Sequence, residues 1–152
     1  LGFIKLFFNL LIKFALIFFL MIYFRVVPTT SILYFLPLLL VTMLLFISIG
    51  TLITPIGVLY SDVSKLIPLA LQILLYVTPV LYVMPKNGLL KIIMSLNPLT
   101  YIIVDLRNSL TGSNIEHWSF WIGVLVVTLV LTVLAMIVYR ISMPIITERM
   151  SS

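Results

Sequence analysis

The sequence predicts an all-α, polytopic membrane protein. Of its 152 residues, 63% are hydrophobic and only 9% are charged, and the mean hydropathy is +1.34. Soluble domains are about 45–50% apolar and about 25% charged, so these residues could not cover the surface of an ordinary soluble domain. Disordered chains are polar and rich in charge, and the composition therefore excludes disorder as well.

Four apolar segments are long enough to cross a bilayer. A spanning helix needs ~20 apolar residues, because it rises ~1.5 Å per residue across ~30 Å of hydrocarbon. We expect the spans at residues 4–24, 31–58, 66–84 and 118–139. Lys13 interrupts the first span and is expected to reach the membrane surface by snorkelling. Trp118 and Tyr139 mark the two ends of the last span, as interfacial aromatic residues do.

Residues 85–117 separate the third and fourth predicted spans. This connection is too long for a turn and too short to cross the membrane twice. Asn97 is an expected N-cap, Pro98 an expected first helical residue and Gly112 an expected C-terminal stop. We therefore expect one or two short interfacial or re-entrant helices here.

The helix that follows Asn97 is predicted to be amphipathic. Its apolar residues recur at helical spacing on one stripe: Leu99, Ile102, Ile103, Leu106 and Leu110. Asp105 and Arg107 lie off this stripe.

The sequence lacks the residues that covalent or metal chemistry requires. It has no Cys, hence no thiol nucleophile, and its single histidine, His117, cannot form a histidine cluster for a metal. We expect His117 to be an interfacial residue. No P-loop, G-x-S-x-G or H-E-x-x-H motif is present, and no basic stripe suits nucleic acid. We therefore expect a pore, a carrier or the membrane half of a powered machine, rather than an enzyme, a metalloprotein or a nucleic-acid-binding protein.

Five short motifs follow one another between residues 60 and 112: Y-S-D-V at 60–63, P-L-A-L-Q at 68–72, T-P-V-L-Y at 78–82, N-P-L-T at 97–100 and R-N-S-L-T-G at 107–112. In this order and spacing, the chain resembles the permease subunit of ABC-2 type exporters. The resemblance is closest to the branch that exports O-antigen, capsular or teichoic-acid polysaccharides. Members of that branch often have Arg where this chain has Ser61.

The resemblance implies a fold, partners and a location. A permease of this type has six spans, so residues 1–152 would form the C-terminal part of one transmembrane domain. The protein would be a homodimer in the bacterial cytoplasmic membrane and would move a lipid-linked polysaccharide. A separate cytoplasmic ABC ATPase would bind ATP and Mg²⁺, and this chain would hold no cofactor. Residues 60–65 and 140–152 would be cytoplasmic, and 85–117 would form an outer gate. Basic residues alone do not set the orientation, because five fall on one side and four on the other.

The third predicted span carries the candidates for a translocation path. Gln72, Tyr76 and Pro79 are spaced i, i+4 and i+7 and are expected on one helical face. Amides and aromatic rings can hydrogen-bond and stack against a sliding glycan, but they can equally mediate helix–helix packing. Tyr82 is a further path candidate, or an interfacial residue. Thr78 and Pro79 are expected to form a hinge or a static kink within the span.

Tyr60, Asp62 and Lys65 are the candidates for contact with the ATPase. They lie in a predicted short polar loop, 59–65, between the second and third spans. The alternative is that these residues simply end helices at the membrane surface.

The outer-gate candidates are Asn97, Pro98, Asp105 and Arg107. In the permease interpretation, the short helices that carry them plug the path and shift when substrate arrives. The alternative is an interfacial helix whose polar face meets water.

Three other functions remain open at the level of sequence. The same machine could export a lipid, a drug or another small amphiphile. A membrane enzyme such as a glycan acyltransferase would need a catalytic cluster outside these residues. A scaffold would assemble other spans without transporting anything.

The predicted topology places Ser61 and Asn87 on opposite sides of the membrane. Because the sequence has no Cys, single Ser61→Cys and Asn87→Cys variants give clean labelling sites. We expect a membrane-impermeant maleimide added to intact cells to label Asn87→Cys alone. Labelling of both positions from the same side would contradict the topology.

Overall fold

Helices make up all the regular secondary structure in the described residues. The computed structural model describes residues 2–26, 30–80 and 87–151, and no strand occurs in these ranges. The helices, in chain order, are α1 (Gly2–Tyr23), α2 (Ile32–Leu59), α3 (Ser61–Val77), α4 (Leu89–Leu96), α5 (Pro98–Thr111) and α6 (Trp118–Ser151). The predicted all-α class is confirmed.

Two of these helices are long and apolar enough to cross a membrane. They are α2, over Ile32–Leu59, and α6, over Trp118–Pro144. Helices α4 and α5 form a pair bent by 89°, which would count as a third span if it were one broken helix. The apolar part of α1, Leu11–Tyr23, and the 17-residue α3 are shorter. A membrane protein is therefore supported, whereas four spans are not established by the described helices.

Helices α2 and α6 form the central pair. A hydrogen bond of 2.8 Å joins Ser48 Oγ of α2 to Thr132 Oγ1 of α6. Thr128 and Ala135 are also buried on α6, with 1% and 3% of their surface exposed. Small side chains let two helix backbones approach closely, which is how helices associate in a medium as apolar as their own side chains.

Hydroxyl groups along this pair are satisfied without disturbing the helices. The Thr42 hydroxyl donates to the Leu38 carbonyl at 2.8 Å, and the Thr128 hydroxyl donates to the Val124 carbonyl at 2.7 Å. Each bond runs back four residues in the same helix. Buried hydroxyls thus avoid the cost of an unmade hydrogen bond in a low-dielectric interior.

Helix α5 lies against α2 and completes an apolar core with α6. The core residues come from three helices and the segment before α6: Leu38, Leu45, Ile102, Ile115, Trp121 and Val124. Ile115 is part of the segment 113–117, which brings the chain from α5 back to the start of α6. This core fixes where the polar residues of α5 can lie.

The connection between α2 and α3 is tighter than predicted. Only Tyr60 separates the two helices, so most of the predicted polar loop 59–65 belongs to α3. Asp62 lies in the first turn of α3, where the helix dipole favours a negative charge. The interaction of Asp62 with the helix dipole explains why α3 starts at Ser61, before the apolar run that begins at Leu66.

Two other helix limits differ from the predicted spans. Helix α3 ends at Val77, short of the predicted limit at Met84, and residues 81–86 lie outside the described residues. Helix α6 continues for 34 residues through the predicted cytoplasmic tail to Ser151. Its length is about 51 Å at the rise of an α-helix, which exceeds a ~30 Å hydrocarbon core.

Close packing of α2 on α6 predicts a sensitive position. Ser48→Leu should lower the free energy of unfolding by about 1–3 kcal/mol, because a larger side chain must push the helices apart. Ile47→Leu is the matched control, since Ile47 is 64% exposed. The measurement is thermal unfolding in detergent, followed by circular dichroism. Equal stability of the two variants would show that this helix pair is not closely packed.

Candidate functional site

The site is built around helix α5, whose limits follow from local capping chemistry. The Asn97 side-chain Oδ1 accepts a hydrogen bond from the Leu99 backbone N–H at 3.1 Å, and Pro98 is the first helical residue. Gly112 ends the helix in the left-handed conformation, with φ of 82°, which glycine adopts without steric cost. The predicted start and stop of this helix are confirmed.

Asn97 also ties α5 to the end of α3. Its side-chain Nδ2 donates a hydrogen bond of 2.9 Å to the Thr78 hydroxyl, and both side chains are buried. Thr78 is extended, with φ of −96° and ψ of 135°. The expected kink or hinge within a continuous span is therefore instead the end of a helix, held from the side by α5.

Arg107 holds the same segment further along. Its guanidinium donates to the Pro79 carbonyl at 2.7 Å and to the Val80 carbonyl at 3.1 Å. Hydrogen bonds from a charged donor are about twice as strong as neutral ones. Two outer-gate candidates, Asn97 and Arg107, thus contact the Thr78–Val80 segment directly.

Pro79 does not share a helical face with Gln72 and Tyr76, contrary to the prediction from spacing. Helix α3 ends at Val77, so the helical period stops two residues before Pro79. The Pro79 side chain is instead fully buried. Because the helix ends before Pro79, the i+7 spacing no longer places Pro79 on the same face as Gln72 and Tyr76. Pro79 belongs instead to the segment 78–80, which α5 holds by hydrogen bonds.

Asp105 is the most buried charged residue among the described residues. Its side chain has no solvent exposure; Oδ2 accepts a hydrogen bond from the Trp121 indole N–H at 2.9 Å, and Oδ1 lies 3.1 Å from His117 Nδ1. Burying a carboxylate without such partners would be very costly. The expectation that the polar face of this helix meets water is therefore wrong for Asp105.

Tyr101 completes the cluster around His117. The two rings lie 4.9 Å apart in an edge-to-face arrangement, and the Tyr101 hydroxyl donates to the Ser95 carbonyl at 2.9 Å. Tyr101 also contacts Phe120, at 5.3 Å between ring centroids. The imidazole is thus oriented from two sides, by a carboxylate and by an aromatic ring. His117 is 32% exposed at its side chain, and it acts in the structure as a positioned hydrogen-bond partner.

The buried stripe of α5 is rotated from the predicted one. Ile102, Asp105 and Ser109 are buried, at i, i+3 and i+7, whereas Leu99 and Leu106 are only half-buried. Hydrophobicity alone places Asp105 outside the stripe, but Trp121 of α6 and His117 just before α6 supply the hydrogen-bond partners that allow it inside. The only signal in the sequence is the presence of an indole and an imidazole after the helix. These groups have no fixed sequence distance from the acidic residue that they contact, because a loop separates them.

The remaining path candidates lie on the outside of the single chain. Gln72 and Tyr76 are exposed on α3, with Tyr76 at 62% exposure, and α3 buries none of its residues. Tyr82 lies outside the described residues. The structure therefore does not bring the four path candidates together within one chain.

A cleft of about 740 Å³ lies between α2, α3, α5 and α6, but it is apolar. Except for Asn97 and Gly123, its walls are hydrophobic side chains or proline, including Phe46, Leu74 and Phe120. Gln72 and Tyr76 do not line it. This cleft suits hydrocarbon rather than a hydroxyl-rich polymer, because sugar hydroxyls would find almost no hydrogen-bond partners there.

The three candidates for contact with an ATPase are accessible. Tyr60 is 63% exposed, and the Asp62 and Lys65 side chains are 92% and 76% exposed. Lys65 Nζ lies 3.9 Å from Asp62 Oδ1. An exposed ion pair of this length contributes little stability, so these side chains are free to exchange that contact for one with another protein.

Within the described residues, no group of three or more acidic, histidine or cysteine side chains is placed to hold a metal ion. Comparisons with known proteins add no relationship: no family model, curated protein or solved structure matches this chain significantly. The function must therefore be argued from the site itself.

The buried carboxylate yields a prediction about stability. Asp105→Ala should lower the free energy of unfolding by about 1–3 kcal/mol, since it leaves the buried Trp121 indole N–H without an acceptor and removes the contact with the partly exposed His117. Asp105→Asn retains an acceptor for one of them and should lose less. Thermal unfolding in detergent measures both effects.

The control for this comparison is Asp62→Ala, which removes an exposed carboxylate and should change stability by less than about 1 kcal/mol. An Asp105→Ala variant as stable as Asp62→Ala would contradict the anchoring role of Asp105.

Proposed function

We propose that this chain is the C-terminal part of the transmembrane permease subunit of an ATP-driven ABC-2 type exporter. The observation that carries the proposal is the exposed face of α3 with Gln72 and Tyr76, next to short helices tied to the end of α3. A helix that buries no residue in its own chain requires other protein or lipid to cover it. In lipid, an amide and a phenol favour a protein or water neighbour.

A second copy of the chain is the proposed cover for α3. Two such faces opposite each other would enclose a path whose walls carry amides and phenols. The apolar cleft within one chain does not offer such a path, which supports a dimer over a monomer. Weak, repeated contacts suit a polymer that must slide, since tight binding at one point would stop it.

We propose that the cargo is a lipid-linked polysaccharide of the O-antigen, capsular or teichoic-acid type, crossing the bacterial cytoplasmic membrane. The support is the motif order between residues 60 and 112 together with the polar side chains on α3. The glycan would pass along the exposed face of α3, and its lipid would remain in or near hydrocarbon.

A separate cytoplasmic ABC ATPase supplies the energy in this proposal. The exposed cluster of Tyr60, Asp62 and Lys65 lies at the junction of α2 and α3, so a push on this junction acts directly on α3. ATP-driven closure would move α3, and the hydrogen bonds from Asn97 and Arg107 to residues 78–80 would pass that movement to α5. Helices α4 and α5 then serve as the gate at the far end.

One observation favours a second cargo. The apolar cleft of about 740 Å³ has the size and lining expected for acyl chains or another hydrophobic ligand. The alternative proposal is therefore an ABC-2 exporter of a lipid, a drug or another small amphiphile, which would enter this cleft instead of sliding along α3.

Replacement of the α3 side chains tests the proposed path. In cells or vesicles that contain the full-length protein and its ATPase, Gln72→Leu combined with Tyr76→Leu should reduce glycan export by roughly tenfold. This factor corresponds to a loss of about 1.4 kcal/mol of interaction free energy between the two side chains and the glycan. The measurement is surface glycan, normalised to the amount of protein in the membrane.

Two controls accompany this test. Ile73→Leu changes a neighbouring exposed position on α3 and should leave export unchanged. Leu74→Trp narrows the apolar cleft and should impair export only if the cargo is an amphiphile that enters it. Full export by the Gln72/Tyr76 double variant would refute the proposed path.

A further inference from the structure

Arg25, just after the end of α1, has a backbone conformation that glycine adopts more readily than any other residue. Its φ is 53°, and no other residue except glycine has a positive φ in the part of the chain that the structure describes. In this left-handed region the Cβ atom crowds the following carbonyl oxygen. Glycine occupies the corresponding position after α5, at Gly112. Backbone strain of this kind is common at sites that bind ligands, so the arginine side chain is the feature to explain.

Two backbone hydrogen bonds hold Arg25 in this conformation. The Arg25 N–H donates to the Ile22 carbonyl at 3.1 Å, and the Val26 N–H donates to the Met21 carbonyl at 2.9 Å. Together they form the Schellman motif, which closes the end of a helix around one left-handed residue. The end of α1 therefore fixes the position from which the Arg25 side chain extends.

The Arg25 guanidinium has no hydrogen bond or ion pair with any of the described residues, and the residue is exposed. Arg107 differs in this respect, because its guanidinium donates to the Pro79 carbonyl. A guanidinium carries five N–H donors in a planar fork that matches the paired oxygens of a phosphate or a carboxylate. The fork of Arg25 is thus available to a ligand with such oxygens.

The residues before Arg25 indicate that it lies at a membrane surface. Residues 14–24 include no charged residue, and Arg25 is the first charge after them. Tyr23 and Phe24 are 73% and 69% exposed, and their rings pack edge to face with centroids 5.3 Å apart. Exposed aromatic rings next to a basic residue are typical of the point where a membrane helix leaves the hydrocarbon. The guanidinium is therefore expected at the level of the lipid headgroups.

We propose that the end of α1 binds an anionic phospholipid and that the Arg25 guanidinium binds its phosphate group. Bidentate hydrogen bonds between a guanidinium and phosphate oxygens are among the strongest that a side chain makes. Tyr23 and Phe24 pack against the glycerol region, and the acyl chains lie along the exposed apolar side chains of Phe19 and Ile22. These apolar neighbours favour a lipid over an acidic side chain of another protein. The lipid stays in its leaflet and is not exported.

This lipid site does not depend on the proposed export function. It lies on α1, whereas the path candidates lie on α3. Lipid binding is measured on the purified full chain without an ATPase, and export is measured in cells or vesicles. Failure of one proposal therefore leaves the other standing.

Binding of radiolabelled phosphatidylglycerol to the full chain in a non-ionic detergent tests the proposal. We expect saturable binding that unlabelled phosphatidylglycerol displaces better than phosphatidylcholine with the same acyl chains. Arg25→Gln should weaken phosphatidylglycerol binding by about fivefold, the effect of one arginine near an anionic membrane surface. Equal affinity of Arg25→Gln and the parent would overturn the proposal. Displacement by inorganic phosphate, but not by chloride at equal ionic strength, would show a free-phosphate site and would reject the lipid site.

Arg25→Gly should change two measurements in opposite directions. The unfolding temperature in lipid-free detergent should rise by about 2–4 °C, because glycine relieves the crowding of the left-handed backbone. Phosphatidylglycerol affinity should fall as it does in Arg25→Gln. A merely structural role for the arginine predicts a lower unfolding temperature in Arg25→Gly, and that result would contradict the proposal.

Two control variants separate this site from other lipid contacts. Lys91→Gln removes an exposed cation on α4 that has no aromatic neighbour in the sequence, and it should leave phosphatidylglycerol affinity unchanged. Leu74→Trp narrows the apolar cleft and should also leave it unchanged. A loss in either control as large as that in Arg25→Gln would show that the lipid binds elsewhere or without specificity, and would reject the α1 site.

Discussion

A carboxylate without solvent contact sets the geometry at the junction of α5 and α6. Asp105 needs hydrogen-bond partners where it is buried: the Trp121 indole N–H donates to Oδ2, and His117 Nδ1 lies 3.1 Å from Oδ1. Both residues lie at or just before the start of α6, so the helix must begin beside the middle of α5. The segment 113–117 is then confined to a short path, and Ile115 from this segment packs in the apolar core.

Helix α5 joins parts of the chain that have no direct connection. At one end Asn97 and, further along, Arg107 hold the segment that follows α3, while Asp105 holds the start of α6. A displacement of α3 must either break these hydrogen bonds or carry α5 with it. The bonds to Arg107 are charge-assisted and therefore costly to break. These bonds are the physical support for the proposal that the short helices act as a gate coupled to α3.

The α2–α6 pair and helix α3 thus differ in how they are packed within the chain. The α2–α6 pair is held by small side chains and an interhelical hydroxyl contact, Ser48 to Thr132. Helix α3 buries none of its residues and carries its two polar path candidates on an exposed surface. In the proposed exporter, α3 would be the moving element and the α2–α6 pair the frame against which it moves.

Part of this architecture was predictable because the responsible chemistry is local. Composition indicated a membrane protein, since so few charged residues cannot cover a soluble surface. The limits of α5 followed from Asn97, Pro98 and Gly112, because capping depends on residues that are neighbours in sequence. The predicted face of Gln72, Tyr76 and Pro79 failed for the opposite reason: hydrogen bonds from residues about twenty to thirty positions away hold Thr78–Val80 outside the helix.

The sequence by itself determined that the chain is helical, apolar and without thiol, P-loop or histidine-cluster chemistry, as these properties depend on which residues are present. The tertiary structure alone decided that Asp105 is buried rather than solvated and that Asn97 bonds to Thr78 at the end of α3. Both depend on groups brought from other parts of the chain: Trp121, for example, lies 16 positions after Asp105. Helical periodicity describes one helix at a time, whereas the environment of a buried polar group depends on what packs against it.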